Sequence, residues 1–98
     1  MTVRLAEQVI DVSGIWDDET LHEHLSKALG FPGYYGMNWD AFWDCILCDD
    51  QSCMPHVLKV RGLGHLRQFA PESARKLEAC LKDYAMELKD RSVVFEST

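Results

Sequence analysis

The sequence has no run of apolar residues that approaches the length of a membrane span. Crossing a bilayer takes about 20 consecutive apolar residues, whereas charged residues make up 27% of this chain and divide its apolar stretches. The first residues, MTVRLAE, also lack the apolar core and the small-residue cleavage site of a secretory signal. We therefore expect a cytoplasmic protein that has no membrane partner.

Basic residues are also scarce. The 98 residues include 10 Lys and Arg against 16 Asp and Glu, which gives a net charge of −6. Because nucleic acids and anionic lipid surfaces attract positive charge, this balance argues against either of them as a direct partner. A basic protein surface is the natural complement of such a chain.

Recognisable catalytic motifs are missing as well. The sequence contains no glycine-rich phosphate loop, and no nucleophile, base and oxyanion motif occurs at a familiar spacing. An enzyme built on this chain would have to use Asp40 and Asp44, or His65, as acid–base groups. We expect neither enzymatic activity nor a cofactor.

The length and the composition of the chain suit a small folded protein. A chain of 98 residues with a hydrophobic fraction of 47% predicts one domain over residues 1–98. Such a chain buries about 60–65% of its unfolded surface, which is enough for a core without metal or disulfide staples. In a reducing compartment its cysteines are expected to be thiols. They are Cys45, Cys48, Cys53 and Cys80.

The order of the predicted elements indicates an α/β fold. The predicted strands are Gln8–Val12, Val57–Val60 and Ser92–Glu96. The predicted helices end near Leu29, Cys48, Phe69 and Leu88, and Asp17 or Asp18 is expected to cap the first. Helices that lie between strands favour parallel pairing with right-handed crossovers. We therefore expect a three-stranded parallel sheet with helices packed against it.

The segment from Phe31 to Ile46 contains the strongest local signals. Gly33 and Gly36 predict a turn-rich loop, and Asn38 is suited to cap the helix that follows. Apolar residues then recur at the spacing of one helical face. They are Trp39, Phe42, Trp43, Ile46 and Leu47.

Two carboxylates stand one turn apart at the edge of that face. Like charges at i and i+4, as at Asp40 and Asp44, cost about 0.2–0.5 kcal/mol on an exposed helix. A solvated acidic edge is the simple interpretation of such a pair. Here Trp43 and Tyr34 flank it, and these residue types are enriched at binding hot spots. The pattern therefore favours a surface that binds something positive.

The last long helix adds two more acidic residues. Two other acidic residues of this helix have a lysine four positions on, in the favourable orientation for an ion pair: Glu72 with Lys76, and Glu78 with Lys82. Asp83 has Glu87 at that position instead. Chance would explain this, and the alternative is that Asp83 and Glu87 extend the acidic patch.

Together these residues resemble the barstar family of intracellular inhibitors of barnase-type ribonucleases. The resemblance is carried by Leu21-His22 and by the run Tyr34-Tyr35-Gly36-x-Asn38-x-Asp40-Ala41-x-Trp43-Asp44-Cys45. It is strongest over residues 21–46, and the second half matches in pattern. The family's fold is a small α/β layer with a three-stranded parallel sheet. Its second helix and the preceding loop block the ribonuclease active site with carboxylates.

The resemblance also implies which residues touch the partner. By position, these contacts are Tyr34, Asn38, Asp40, Trp43 and Asp44, and the acidic contact of the last long helix falls on Asp83, with Glu87 nearby. This chain has Asp83 where the family has Glu, so the side chain is one methylene shorter. It also has Leu47 and the residues after it where the family carries an aromatic contact.

Two alternatives stay open. The run Cys45-x-x-Cys48-x-x-x-x-Cys53-x-x-His56 has residue types that bind zinc. The same fold could also bind another basic toxin or regulatory protein, because a fold does not fix its function.

Two histidines of the first helix, His22 and His24, do not share a face, and we expect both at the surface.

Overall fold

The computed structural model describes residues 6–33, 35–48 and 54–96. Its strands are β1 (Glu7–Asp11), β2 (Val57–Arg61) and β3 (Ser92–Glu96). Its helices are α1 (Asp18–Leu29), α2 (Trp39–Leu47), α3 (Leu63–Phe69) and α4 (Pro71–Glu87). Within these ranges no helix combines the length and the apolar character that a membrane span requires.

The three strands form one parallel sheet in the order β1-β2-β3, as predicted. Val9 pairs with Lys59, and Lys59 pairs with Val94 on the other side. The pairing continues just before β1, where Val57 N donates a hydrogen bond to Ala6 O at 3.0 Å. The first strand begins and ends one residue earlier than predicted, and the other boundaries agree within one residue.

The sheet buries one face and leaves the other in solvent. Ile10 and Leu58 point to the core and are almost fully buried, whereas Val9 and Val94 are each 42% exposed. Because successive side chains of a strand point to opposite faces, this alternation shows that the helices cover one side of the sheet. The site residues on α2 and α4 therefore lie on the helical side.

Side-chain caps begin both of the helices that frame the loop. Asp17 accepts a hydrogen bond from Thr20 N at 2.7 Å at the start of α1. Asn38 accepts one from Ala41 N at 2.8 Å at the start of α2. Gly30 ends α1 in the left-handed conformation, with φ of 68°. The predicted caps and stop are confirmed, with Asp17 rather than Asp18 as the cap of α1.

One of the two predicted ion pairs on α4 is wrong. Glu78 pairs with Lys82 as expected, at 2.9 Å, but Glu72 pairs with Arg75 at 2.6 Å. The longer, forked side chain three residues on reaches the carboxylate of Glu72 directly. Exposed pairs of this kind contribute little to stability.

Gly62 and Gly64, two residues apart, give a matched test of backbone packing. Gly62 has φ of 78°, and a Cβ added there would lie 2.6 Å from Ser13 N. We expect Gly62→Ala to lower the free energy of unfolding by at least about 2 kcal/mol, through left-handed strain and overlap. Gly64 lies in α3 with nothing within 4 Å of an added Cβ. Gly64→Ala should therefore be neutral or stabilising, by up to about 1 kcal/mol.

Urea denaturation of the two variants and the parent protein measures both effects. Equal stabilities for the two variants would contradict this packing at Gly62.

Candidate protein-binding surface

Four acidic residues on two helices form what we name the acidic surface: Asp40 and Asp44 on α2, and Asp83 and Glu87 on α4. All four side chains are exposed, and α2 packs against α4. Among the described residues, none of the four takes part in an ion pair. Their charge is therefore left for solvent or for a partner.

Carboxylates of both helices affect the pKa of the Cys80 thiol. Burial is the main cause that raises the pKa of Cys80, and the negative charges of Asp83 and Asp40 raise it further. Because charge effects fall with distance, both carboxylates are within electrostatic reach of this half-buried thiol. Asp44 directly precedes Cys45 in α2, and its charge adds to the burial that raises the pKa of that thiol. Asp40 of α2 and Asp83 of α4 therefore act electrostatically on the same side chain.

The buried side of α2 differs from the predicted apolar face. Phe42, Cys45 and Ile46 are buried, Trp43 is only half-buried, and Leu47 is 37% exposed. The buried face of α2 is therefore centred on Phe42, Cys45 and Ile46 and not on the predicted apolar stripe. Trp43 and Leu47 consequently share the outer part of the helix with the two carboxylates, as one surface that is both apolar and acidic.

Asn38 holds the loop to the start of α2. Its Oδ1 caps the helix, and its Nδ2 donates to Gly36 O at 3.2 Å. Between them Met37 adopts a left-handed backbone with φ of 55°, a conformation that is costly for a residue other than glycine. Strain held in place by surrounding contacts is common where a chain is shaped for binding. Tyr34, the predicted contact of this loop, lies outside the described residues.

Beneath this loop His22 is fully buried, which corrects its expected place at the surface. Its Nδ1 lies 2.6 Å from the hydroxyl of Tyr35, and its ring centroid lies 4.4 Å from that of Trp39. The sequence did contain a signal for this burial. His22 precedes Leu25 and Leu29 by three and seven residues, which is the spacing of one helical face. His24 is half-buried rather than exposed.

The carboxylate of Asp18 is the second feature that the sequence did not reveal. Its Oδ1 accepts hydrogen bonds from Trp39 Nε1 at 3.1 Å and from Ser73 Oγ at 2.6 Å. Its Oδ2 lies 3.3 Å from His22 Nε2, close to that nitrogen but not aligned as a hydrogen bond. We name Asp18, His22, Tyr35, Trp39 and Ser73 the Asp18 network. It joins α1, α2, α4 and the loop.

Burial decides the protonation state within this network. It lowers the pKa of His22, and the nearby charge of Asp18 opposes that shift only in part. It also raises the pKa of Tyr35, so that hydroxyl stays protonated. Since Nε2 faces a carboxylate, Nε2 is the nitrogen expected to carry the proton. Nδ1 then accepts the hydrogen bond from Tyr35.

The described residues do not assemble a metal site. No group of three or more His, Cys, Asp or Glu side chains among them could hold a metal ion. Cys45, Cys48 and His56 therefore do not form such a group with one another. Cys53, the fourth residue of the zinc alternative, lies outside the described residues.

Comparisons with known proteins give the family context. A family model described as Barstar (barnase inhibitor) matches residues 5–98. A protein of Bacillus subtilis (strain 168) named "Putative ribonuclease inhibitor YrdF" is 32% identical over 82 residues, which cover 84% of this chain and 88% of that protein. The similarity seen in residues 21–46 thus extends over nearly the whole chain.

The buried His22 predicts a loss of stability in mild acid. The folded state holds the pKa of His22 below its ordinary value of 6.5, so the unfolded chain binds more protons as the pH falls through that range. The free energy of unfolding should therefore decrease from pH 6.5 down to the lower folded pKa. Above pH 6.5 this group should add no pH dependence.

Urea denaturation from pH 8 to pH 5 measures this slope. We expect His22→Gln to flatten it, and the exposed residue His65 gives the control, since His65→Gln should leave it unchanged. An unchanged slope in His22→Gln would contradict the assignment.

Proposed function

The chain belongs to the Barstar (barnase inhibitor) family, and we propose that it is a protein inhibitor of a ribonuclease. The inhibitor acts without catalysis, by placing the acidic surface over the basic active site of the enzyme. The observation that carries this proposal is the set of exposed carboxylates on α2 and α4. They have no ion-pair partner among the described residues, and the charges of two of them act on one half-buried thiol.

Electrostatics support this mode of inhibition. A ribonuclease site presents Arg, Lys and His side chains to hold phosphate, so a group of carboxylates mirrors the charge of its substrate. Complementary charge steers the two proteins together and speeds association. Crowding Asp40 and Asp44 one turn apart costs some stability in the free protein. A positive partner relieves that repulsion.

The apolar part of the surface supplies contact area. Trp43 is half-buried and Leu47 is exposed, so both can lose further surface against a partner. Aromatic side chains bury a large area at a small cost in rotamer entropy. We assign the leading charged contact to Asp44, the next to Asp40, and packing contacts to Trp43 and Tyr34.

Asn38 and the carboxylates of α4 have separate roles in the proposal. Both polar ends of the Asn38 side chain are used within the protein, which suits a residue that shapes the loop against the partner. Asp83 and Glu87 extend the negative potential beyond α2. Because Asp83 is one methylene shorter than glutamate, we expect its direct contact to be weaker than that of Asp44.

Truncation of the leading carboxylate gives the main test of the proposal. We expect Asp44→Ala to weaken binding to a barnase-type ribonuclease by at least about 2 kcal/mol, because it would leave basic groups of the partner unpaired. Glu23, an exposed acidic residue of α1, gives a matched control: Glu23→Ala should bind like the parent protein. The measurement is the titration of each variant into the enzyme while RNA cleavage is followed.

The results of this titration test the assigned binding site and the proposed function separately. Stoichiometric inhibition by the parent protein that Asp44→Ala loses, while its circular dichroism is unchanged, supports both. Full inhibition by a folded Asp44→Ala would remove that residue from the site. A parent protein that inhibits no barnase-type ribonuclease would contradict the proposed function and favour another basic partner.

The dependence of the association rate on salt concentration gives an independent prediction. Exposed charges are screened over about 10 Å at 0.1 M salt and over about 3 Å at 1 M. Raising salt across that range should slow association with the ribonuclease by about tenfold or more, and should change dissociation much less. Stopped-flow fluorescence measures both rates, with the double variant Asp40→Asn, Asp44→Asn as the control that shows a shallower slope. An association rate independent of salt would argue against electrostatic steering.

A further inference from the structure

We infer that Asp18 is a positioning residue that holds the acidic surface in its binding geometry. It is remote in sequence from every contact assigned above, and it acts through Trp39 and Ser73. The inference rests on the proposed function for its binding consequence, whereas its structural consequence can be measured in the free protein.

The two hydrogen bonds of Asp18 reach the two helices that carry the acidic surface. Trp39 is the first residue of α2, directly before Asp40, and its indole donates to Asp18 Oδ1 at 3.1 Å. Ser73 lies in the first turns of α4 and donates to the same oxygen at 2.6 Å. A single oxygen thus fixes the start of α2 relative to α4, two turns before Cys80.

A second path leads from Asp18 to the loop. Its other oxygen lies 3.3 Å from His22, whose Nδ1 lies 2.6 Å from the hydroxyl of Tyr35. That hydroxyl also lies 3.4 Å from the backbone oxygen of Asn38, the cap of α2; since its one proton is donated to His22, this approach is a contact and not a second hydrogen bond. The first path thus ends in a hydrogen bond with Trp39 and the second in a contact with Asn38, and these two residues immediately precede Asp40.

The chemistry of a carboxylate fits this position. Oδ1 accepts both hydrogen bonds while Oδ2 faces His22; an asparagine keeps one acceptor oxygen but loses the charge, and a methyl group has neither. Asp18 is about half-exposed and His22 is neutral, so the contact between them should contribute little to stability. Its expected benefit is preorganisation, because a surface already held in its bound shape has less freedom to lose on binding.

The first test uses the free protein. We expect the indole Nε1–H of Trp39 to exchange with solvent at least tenfold faster in Asp18→Ala, as measured by NMR, and to an intermediate extent in Asp18→Asn. The indole of Trp16, which is 69% exposed, supplies the unprotected reference. Glu19→Gln is the matched control: Glu19 is exposed in the same turn of α1, and the change removes the same charge as Asp18→Asn.

The second test measures binding to a barnase-type ribonuclease. We expect the Kd to rise at least tenfold in Asp18→Ala and several-fold in Ser73→Ala, and to change less than twofold in Glu19→Gln. If Asp18→Ala does not fold, Ser73→Ala carries the test, because it removes only a hydroxyl from a helix position. Equal losses in Asp18→Asn and Glu19→Gln would show a general charge effect and overturn the positioning role.

The two tests distinguish a failure of the Asp18 positioning role from a failure of the proposed function. If the parent protein does not bind the ribonuclease, the proposed function fails, and the exchange of the Trp39 indole still decides whether Asp18 orders α2. If the parent protein binds and folded Asp18→Ala binds equally well, the inference is overturned while the proposed function stands.

Discussion

The packing of α2 against α4 is the contact on which the acidic surface depends. Each helix carries two of the four carboxylates, and the charges of Asp40 on one helix and Asp83 on the other both act on the half-buried thiol of Cys80. The burial of Phe42 and Ile46 sets the rotation of α2 and so directs Asp40 and Asp44 outward. The fold thus holds like charges side by side, at a cost that a basic partner would offset.

The Asp18 network gives that packing a defined geometry. Hydrophobic contacts are not directional, so they hold α2 near α4 without fixing its first turn. Hydrogen bonds are directional, and those of Asp18 reach α2 and α4 together. The neutral imidazole of His22 extends the network to Tyr35 and the loop. Affinity for a partner would then depend both on the exposed carboxylates and on buried residues that never touch it.

Local signals were enough to predict the seven elements, the cap at Asn38, the stop at Gly30 and the parallel sheet. Each of these follows from neighbouring residues or from the order of the elements. The Asp18 network could not be predicted in the same way, because Asp18 contacts residues 21 and 55 positions away in sequence. The exposure of Leu47 and the pairing of Glu72 with Arg75 likewise depend on helix rotation and side-chain reach.

The most direct measurement is NMR mapping of the isotope-labelled protein as unlabelled barnase-type ribonuclease is added. The amide signals of residues 35–47 and 80–87 should shift, because they carry the acidic surface and its loop. The signals of Val9, Lys59 and Val94, on the opposite side of the sheet, should stay in place. Shifts confined to the sheet face would contradict the account, since binding would then occur away from the acidic surface.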